Sequence, residues 1–267
     1  MDGTLKTYDN YDIYYQYHEV ENAKATIVFS HGFVEYSAHY SRLAPMFNAH
    51  GYNVFKYDVR GHGRTTAPLG ELKHFQDFAD DLNVCVTWVQ DRDSSLPVYT
   101  MGFSLGGMIT AVYGIMYPYA IAGQILLGPG LLPQPQFREI TESSISIHEF
   151  LELMGTSGDA GIKQLVAMDS PYVLKRASRT FIVESLVEAQ EFIWEHTSMY
   201  KHPVLILHGE NDPILPWQGS QKFFESIGSS DKTLEVLPDK EHDLLRIREA
   251  TAIVARIASW LDHEIEA

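Results

Sequence analysis

Short apolar runs alternate with segments of helical period along most of this chain. The runs end in glycine, proline or polar clusters and cover residues 25–30, 52–57, 98–102, 121–127 and 204–208. Runs of this length that are apolar throughout are typical of parallel strands covered on both faces. Between them, apolar residues recur at helical spacing, most clearly over 75–89 and 250–261. The alternation predicts an α/β fold with a mainly parallel sheet between helices, and ligands at the carboxyl ends of its strands.

A segment near the start of the chain has a different pattern, because apolar and polar positions alternate there. Ile13, Tyr15 and Tyr17 share one face, and positions 14, 16 and 18 share the other. This alternation predicts an antiparallel edge strand with one wetter face.

The alternation of strand-like and helix-like segments is interrupted in the middle of the chain. No apolar β run occurs there, but helix-like pieces cover 146–153 and 180–193. A stretch of this length is rarely a structureless loop. We therefore predict a mostly helical insertion, a lid over residues 131–200, above the strand ends of a core formed by residues 1–130 and 201–267.

Composition and charge narrow the class of protein. With 267 residues, 45% of them hydrophobic, and a formal net charge of −15, the chain can bury a large core but repels nucleic acid and anionic bilayers. Its single cysteine, Cys85, lies among apolar residues at helical spacing, so we expect a buried, inert thiol and no disulfide scaffold. The sequence shows neither a basic and apolar leader nor an apolar stretch of about 18 residues, which favours a soluble, cytoplasmic protein.

A glycine-rich turn carries the first candidate for chemistry. Ser104 stands between Gly102 and Gly106, where the run 98–101 ends and the helical stretch 108–116 begins. A nucleophile held in a strained strand-to-helix turn needs small residues two positions away, and the following helix directs its positive end at the site. The context predicts a nucleophilic serine above the sheet. The alternative is a tight turn in which Ser104 only caps the helix.

A carboxylate and a histidine further along the chain complete the constellation that a nucleophilic serine requires. Asp212 follows the buried run 204–208, and His242 follows another short apolar run at 234–237. The order Ser104, Asp212, His242 is the order of nucleophile, acid and histidine that this sheet topology produces. We predict that these three side chains form a catalytic triad.

Three other carboxylates and a second histidine compete for these roles. Asp231 precedes the last strand, and Asp239 and Asp243 flank His242, from where they are badly placed to reach its ring. His208 lies within a strand and is interpreted as a core residue. No H-E-x-x-H motif or similar cluster occurs, so we expect neither a metal ion nor a cofactor.

Two backbone N–H groups are candidates for stabilising the negative charge that develops on a carbonyl oxygen during acyl transfer. The N–H of Leu105 lies at the start of the helix that follows Ser104. The second N–H is expected from the loop after the run 25–30, where the pair His31-Gly32 suits a tight turn and Phe33 would donate. The alternative for this loop is an ordinary glycine turn.

The candidate residues belong to blocks that resemble one known family. These blocks are residues 31–40, 57–64, 102–107, 208–213 and 241–245, and they span nearly the whole chain outside the insertion. By them the chain resembles serine hydrolases of the α/β-hydrolase fold, and among these the monoacylglycerol lipase and lysophospholipase-like group. The resemblance implies a mainly parallel eight-stranded sheet flanked by helices, with an inserted helical lid.

The chain departs from the family pattern close to the predicted site. Phe103 stands where a histidine is common, Val34 where glycine is frequent, Leu105 where methionine is frequent and Asp243 where glutamate is usual. None of these changes removes a catalytic group, so they bear on the substrate rather than on the triad. The resemblance also implies that the loop 58–64 is structural, despite its two arginines and its histidine.

The resemblance favours hydrolysis of carboxylic esters with a medium or long acyl chain through an acyl-enzyme, with monoacylglycerol as the best single substrate. It also implies transient contact between the lid and a lipid surface. An esterase, peptidase, C–C hydrolase or acyltransferase could use the same triad, and a catalytically idle ligand receptor could keep the same fold. The apolar residues of the insertion either line an acyl tunnel or pack on the core; they are Leu131, Leu132, Phe137, Ile145, Ile147, Phe150, Leu151 and Met154.

Overall fold

A central sheet of eight strands forms the body of the protein. The computed structural model describes residues 1–155, 167–168 and 170–266. Eight strands form this sheet and two more form a separate pair. In chain order the ten strands of the described residues are β1 (Asp2–Lys6), β2 (Asp12–His18), β3 (Ala25–Ser30), β4 (Tyr52–Tyr57), β5 (Val98–Phe103), β6 (Gly123–Leu127), β7 (Ser144–Ser146), β8 (Arg176–Ser178), β9 (Val204–Gly209) and β10 (Lys232–Leu237). The order across the central sheet is β1-β2-β4-β3-β5-β6-β9-β10, while β7 and β8 pair with each other. The pairs β1–β2 and β2–β4 are antiparallel and the other neighbouring pairs of the central sheet are parallel, which confirms the predicted fold class.

Helices lie on both faces of this sheet. They are α1 (Leu43–Asn48), α2 (Gln76–Arg92), α3 (Leu105–Met116), α4 (Ile147–Leu153), α5 (Arg179–Val183), α6 (Ala189–His196), α7 (Gln218–Ser226) and α8 (Ala250–Glu266). Within the residues that the structure describes, no helix is both long enough and apolar enough to cross a membrane.

Two hydrophobic cores lie on opposite faces of the sheet, and this explains why the central strands are apolar throughout. α2 and α3 contribute to the first core, and α1 and α8 contribute to the second. Successive strand residues alternate between them, so Val28 belongs to the first core while Ile27 and Phe29 belong to the second. Because both faces of a central strand are covered, each of its residues is selected for burial.

The antiparallel strand predicted at the start of the chain is confirmed, but its position at the edge of the sheet is wrong. β2 buries Ile13, Tyr15 and Tyr17 on one face as expected. However, β1 pairs with it on the outer side, with Gly3 opposite Tyr15. β1 is five residues long and alternates between exposed and half-buried positions, so it has no hydrophobic pattern from which a strand could be predicted.

The segment between β6 and β9 contains the helix-like pieces expected from the sequence, as α4 and as α5 followed by α6. A single π-helical turn, Glu184–Glu188, joins α5 to α6. The paired strands β7 and β8 were not expected, since three residues each are too few to show a strand pattern. Part of the predicted insertion, residues 156–166 and 169, lies outside the described residues.

The loop after β4, residues 58–64, makes the contacts of a scaffold. The Asp58 carboxylate accepts a hydrogen bond from the backbone N–H of Arg64 at 2.8 Å. Arg60 forms a buried ion pair with Asp81 of α2, with 2.7 Å between Nη2 and Oδ1. These contacts tie the loop to itself and to the neighbouring helix, which supports its interpretation as a structural element.

Two buried histidines connect this loop with the loop after β3. The backbone N–H of Val59 donates to His31 Nε2 at 2.9 Å, and His31 Nδ1 lies 2.8 Å from the carbonyl oxygen of Gly32. This pairing requires a neutral ring with its proton on Nδ1. The ring of His62 packs edge-on against that of His31, with 5.3 Å between centroids. Burial lowers the pKa of both histidines to about 3.

Mild acid is therefore expected to destabilise the fold at pH values where most carboxylates are still charged. Unfolded histidines bind protons below about pH 6.5 whereas these folded ones stay neutral, so stability falls as the pH decreases from there toward 3. Between pH 7 and pH 5 the loss is about 2 kcal/mol for each of His31 and His62. Urea unfolding across this pH range measures it. His62→Phe should make the free energy of unfolding less dependent on pH, and an unchanged dependence would contradict the assignment.

Candidate active site

Ser104 lies in a strained turn between β5 and α3. Its φ of 56° and ψ of −113° fall outside the regions that residues other than glycine usually adopt. A Cβ atom on Gly102 would lie 2.0 Å from the carbonyl oxygen of Gly106, and one on Gly106 would lie 2.0 Å from that of Ser30. Only glycine fits at either position, as the motif predicted. The Ser104 side chain makes no capping hydrogen bond to the described residues of the helix, so the helix-cap alternative is wrong.

Side chains from three separate loops meet above the carboxyl ends of the parallel strands. The Ser104 Oγ atom after β5 lies 3.0 Å from Nε2 of His242. On the other side of the ring, Nδ1 of His242 lies 2.7 Å from Oδ2 of Asp212, which follows β9. In this geometry the imidazole can accept the serine proton at Nε2 while the carboxylate holds the proton at Nδ1.

Asp212 is held as a carboxylate by the loop in which it lies. Its Oδ1 atom accepts hydrogen bonds from the backbone N–H groups of Ile214 at 2.8 Å and Leu215 at 2.9 Å. Burial alone would raise the pKa of Asp212, but hydrogen bonds from His208 and His242 outweigh burial and hold the pKa well below its usual value. The group therefore stays negatively charged at neutral pH.

His208 has a larger part in the site than its position within a strand suggested. It is fully buried, and its Nε2 lies 3.0 Å from Oδ2 of Asp212. Its Nδ1 lies 2.7 Å from the hydroxyl of Ser220, which can donate to it. This pairing puts the proton of a neutral ring on Nε2, directed at Asp212. The position of His208 four residues before Asp212, at the end of a strand, was the only signal for this contact.

The rival carboxylates do not contact the ring of His242 in the part of the chain that the structure describes. Asp231 lies at the amino end of β10, where its carbonyl accepts the backbone N–H of Val204. Asp239 is exposed in a turn with a φ of 57°. Asp243 receives the Nε–H of Arg246 at 2.7 Å. Across the same ranges, no group of three or more His, Cys, Asp or Glu side chains is arranged to hold a metal ion.

The two backbone donors expected for an oxyanion flank Ser104. Leu105 is the first residue of α3, and Phe33 lies in the loop after β3. Neither N–H donates a hydrogen bond to another described residue, so both are free for a ligand. The next residue in the loop, Val34, is buried with a φ of 71°, which is unusual for a β-branched side chain. This strain accompanies the departure from glycine noted in the sequence.

Phe103, the residue before Ser104, packs against the site histidine. Its ring centroid lies 4.9 Å from that of His242. It also lies against Gly32, because a Cβ atom on that glycine would be 3.2 Å from the Phe103 ring. The departure from histidine at this position thus places an apolar ring in contact with both the loop after β3 and the imidazole of His242.

A cavity of about 510 Å³ opens at Ser104 and His242. Its apolar lining comes from the loop after β3, the end of β5, α3, the segment between β6 and β9, and the loops after β9 and β10: Phe33, Val34, Phe103, Leu105, Met108, Phe150, Leu151, Met154, Leu186, Ile214, Leu215 and Ile247. Its charged lining comes mainly from the loop after β10, with one contribution from the loop after β3: Glu35, Asp239, Lys240, Glu241, Asp243, Arg246 and Glu249. The cavity at the serine therefore has both apolar and charged side chains in its lining.

Some apolar residues of the segment between β6 and β9 take both roles considered for them. Phe150, Leu151 and Met154 line the cavity and also pack in the hydrophobic core shared with α2 and α3. Other members of that core do not line the cavity, namely Leu131, Phe137, Ile145 and Ile147. Leu132 packs against α7, since a Cβ atom on Gly219 would lie 2.9 Å from its Cγ. One face of α4 therefore serves both packing and the cavity.

Comparison with known proteins agrees with this geometry. The chain is 24% identical over 247 residues to a monoacylglycerol lipase of Mycolicibacterium smegmatis, with 89% of this chain and 88% of the relative covered. It is 26% identical over 255 residues to a monoglyceride lipase of Mus musculus, with 91% and 84% covered. The crystal structure of a soluble variant of the Saccharomyces cerevisiae monoglyceride lipase with a substrate analogue superposes with a TM-score of 0.81 at 22% identity, covering 99% of this chain and 95% of that one. A carboxyl esterase from Bacillus coagulans gives 0.85 at 20% identity, with 99% and 98% covered.

The order of the strands, the strained serine turn and the loops that carry Asp212 and His242 define a hydrolase of the α/β-hydrolase fold. A family model described as serine aminopeptidase, S33, matches residues 21–249, and the chain belongs to this family. Within the family it falls in the monoacylglycerol lipase-like group of ester-hydrolysing serine hydrolases, as its motifs predicted.

Replacing Asp212 with asparagine is expected to abolish most turnover while leaving the fold intact. The amide would present a donor to Nδ1 of His242 and favour the wrong tautomer, which lowers kcat on the order of 10⁴-fold. Asp239→Asn, an exposed change beside the histidine, is the matched control and should lower kcat less than about tenfold. Steady-state kinetics with circular dichroism on both variants makes the comparison. An equal loss in the two variants would contradict the role of Asp212.

Proposed function

We propose that this protein hydrolyses monoesters of medium- and long-chain fatty acids with neutral alcohols, monoacylglycerols first among them, with Ser104, Asp212 and His242 as the catalytic triad. The observation that carries the proposal is the cavity at Ser104, whose lining contains both apolar and charged side chains. In this proposal the apolar side chains bind the acyl chain and the polar ones bind the glycerol head. The names of the relatives from Mycolicibacterium smegmatis and Mus musculus support the same substrate class.

The reaction begins with attack of Ser104 Oγ on the ester carbonyl carbon. As the new C–O bond forms, the serine proton moves to Nε2 of His242, and the carbonyl oxygen becomes an oxyanion that accepts hydrogen bonds from the N–H groups of Phe33 and Leu105. The charge of Asp212 stabilises the imidazolium. When the bond to the alcohol breaks, the alcohol oxygen takes the proton from Nε2 and leaves, and the acyl group stays on Ser104.

The second half of the reaction repeats these steps with water. His242 accepts a proton from a water molecule, whose oxygen attacks the acyl carbon, and the same two N–H groups bind the oxyanion. Cleavage of the bond to Ser104 Oγ returns the proton to the serine and releases a fatty acid. The proposed reaction needs no co-reactant other than water.

The segment 131–200 acts as a lid in this proposal. Phe150 and Met154 line the cavity. In contrast, Leu153, the last residue of α4 and the neighbour of Met154 in sequence, has 57% of its surface exposed. Met168 and Tyr172 in the same segment are also large, apolar and exposed. We infer that this outer surface contacts a lipid surface briefly while a substrate enters. The net charge of −15 favours neutral over anionic lipid. A cytoplasmic location stays a prediction of the sequence.

Ser104 is expected to be acylated during turnover and to react with a fluorophosphonate. Ser104→Ala removes the nucleophile and should lower kcat by roughly 10³- to 10⁶-fold, leaving what binding and the two N–H groups supply. Mass spectrometry of the labelled protein locates the modified residue. Labelling that persists in Ser104→Ala would place the nucleophile elsewhere, and an idle ligand receptor would show binding of esters without turnover.

Acyl chain length is expected to control the rate, because each buried methylene contributes roughly 0.8 kcal/mol, or about fourfold in affinity. The value of kcat/KM should rise from acetyl to octanoyl glycerol monoesters. Monoacylglycerols should be cleaved faster than triacylglycerols, since a covered site admits one chain, and aminoacyl amides should be cleaved poorly. Maximal activity on acetyl esters would indicate a general esterase, and maximal activity on aminoacyl amides would indicate a peptidase.

The same assay tests the lipid contact if the monoester is also presented in zwitterionic vesicles. Leu153→Ser should lower the rate on vesicles but leave the rate on a dissolved butyryl ester unchanged. Tyr119→Ser is the matched control, since Tyr119 is 95% exposed but lies between α3 and β6, at the amino ends of the strands. An equal effect of the two changes on the vesicle assay would contradict contact through the lid.

A further inference from the structure

We propose that Glu35 and Arg246 form a positioning pair that joins the loop after β3 to the loop after β10, and so holds the oxyanion donor Phe33 opposite His242. The inference rests on the proposed ester-hydrolysing site and assigns two further residues to it. Neither residue would touch the reacting atoms. Both would act through the loops that carry the groups that do.

Glu35 is anchored to the loop that contains Phe33. It is 2% exposed, and its Oε2 atom accepts the backbone N–H of Gly32 at 3.1 Å and the hydroxyl of Tyr40. Through Gly32 the carboxylate fixes the turn immediately before Phe33. Its other oxygen, Oε1, lies 2.5 Å from Nη1 of Arg246. One buried carboxylate thus contacts both the donor loop and a residue from the far side of the site.

Arg246 is anchored in the same way to the loop that contains His242. Its Nε donates to Oδ2 of Asp243 at 2.7 Å, and its backbone N–H donates to Oδ1 of the same side chain at 3.0 Å. Asp243 is the residue after His242, so the guanidinium is fixed to the turn that presents the imidazole. The guanidinium also lies over the ring of Tyr40, 5.3 Å from its centroid. Tyr40 therefore contacts both members of the pair.

The topology of the sheet leaves the two loops without a direct connection through strand pairing. β3 and β10 are not neighbours, because β5, β6 and β9 lie between them. At the usual spacing between strands of about 4.8 Å, the two strands are roughly 19 Å apart across the sheet. Hydrogen bonds within the sheet fix the strands but not the loops beyond them. The pair bridges these loops directly, on either side of Ser104 at the end of β5.

Stability alone does not explain a buried ion pair at this position. Removing two charges from water costs about as much as their attraction returns, and apolar residues of similar shape are often at least as stable. A pair of this kind does fix the relative position of the groups that it joins. Arg246 is also a poor site for an anionic substrate group, since Glu35 and Asp243 already balance its charge.

Kinetics of Glu35→Gln, Arg246→Met and the double variant test the proposal. A dissolved butyryl ester is the substrate, and titration of Ser104 with a fluorophosphonate counts correctly folded sites. Each single variant should lower kcat per labelled site by about 10- to 100-fold with KM changed less than about threefold. The double variant should be no worse than the poorer single one, since both changes break one interaction. Arg246→Lys, which keeps the charge, should recover part of the loss.

Asp81→Asn is the matched control. It breaks an ion pair with Arg60 that is buried more deeply than the Glu35–Arg246 pair, with both side chains under 5% exposed, and that lies away from the cavity lining, while Arg60 keeps its contact with Asp9. It should lower the midpoint of thermal unfolding while keeping kcat per labelled site within about threefold of the wild type. A purely structural role of Glu35 and Arg246 would give this same pattern.

The outcomes are separable. Wild-type kcat per labelled site in both single variants, or losses that multiply in the double variant, would overturn the positioning role. If Glu35→Gln does not fold, as shown by a lack of labelling, the comparison of Arg246→Lys with Arg246→Met decides alone, and equal kcat values would overturn the proposal. Absence of labelling and turnover in the wild-type protein would instead contradict the proposed function.

Discussion

The close approach of backbone at Gly106 is the constraint on which the site depends. A Cβ atom there would lie 2.0 Å from the carbonyl oxygen of Ser30, so the first turn of α3 lies directly against the end of β3. The loop with Phe33 begins one residue after Ser30, and the N–H of Leu105 belongs to that same turn of α3. One contact between two backbones thus places the serine turn against the loop that contains the second of the two N–H groups proposed as oxyanion donors.

Several of the ionisable groups buried near this contact have partners. Asp212 keeps its charge through two histidines and two backbone N–H groups. His31, which burial keeps neutral, donates at one ring nitrogen and accepts at the other. Glu35 is paired with Arg246. These partners reduce the cost of burying charged and polar groups at the site.

Much of this architecture could be predicted from the sequence because it depends on local patterns. The parallel strands are apolar on both faces, the helices have a regular period, and the serine turn is marked by Gly102 and Gly106 within four residues. β1 was missed because it lies at the edge with little to bury. The left-handed conformation of Val34 was not predicted, because a valine rarely adopts a positive φ; the one signal was that glycine is frequent at this position in the family.

Two kinds of contact were not predicted. Some join residues that are far apart in the chain, and others involve a side chain whose residue type is compatible with more than one role. Glu35 and Arg246 come from opposite ends of the sequence, and a pattern along the chain carries no information on their distance. His208 fits a strand interior equally well as a core residue or as a partner of Asp212. Residue types were enough to predict a triad, but only packing in three dimensions reveals which other groups contact its proposed members.

The placement of the segment between β6 and β9 has a consequence for how such proteins diverge. The segment follows β6 and precedes β9, and these two strands are neighbours in the sheet. Its length and sequence can therefore change without altering the register of any strand pair in the sheet. The residues proposed to act on the carbonyl group lie outside it, whereas Phe150, Leu151, Met154 and Leu186 of the cavity lining lie within it. Selection on this one continuous stretch of the gene can therefore alter part of the cavity while the residues proposed for the chemistry, encoded on either side, are inherited unchanged.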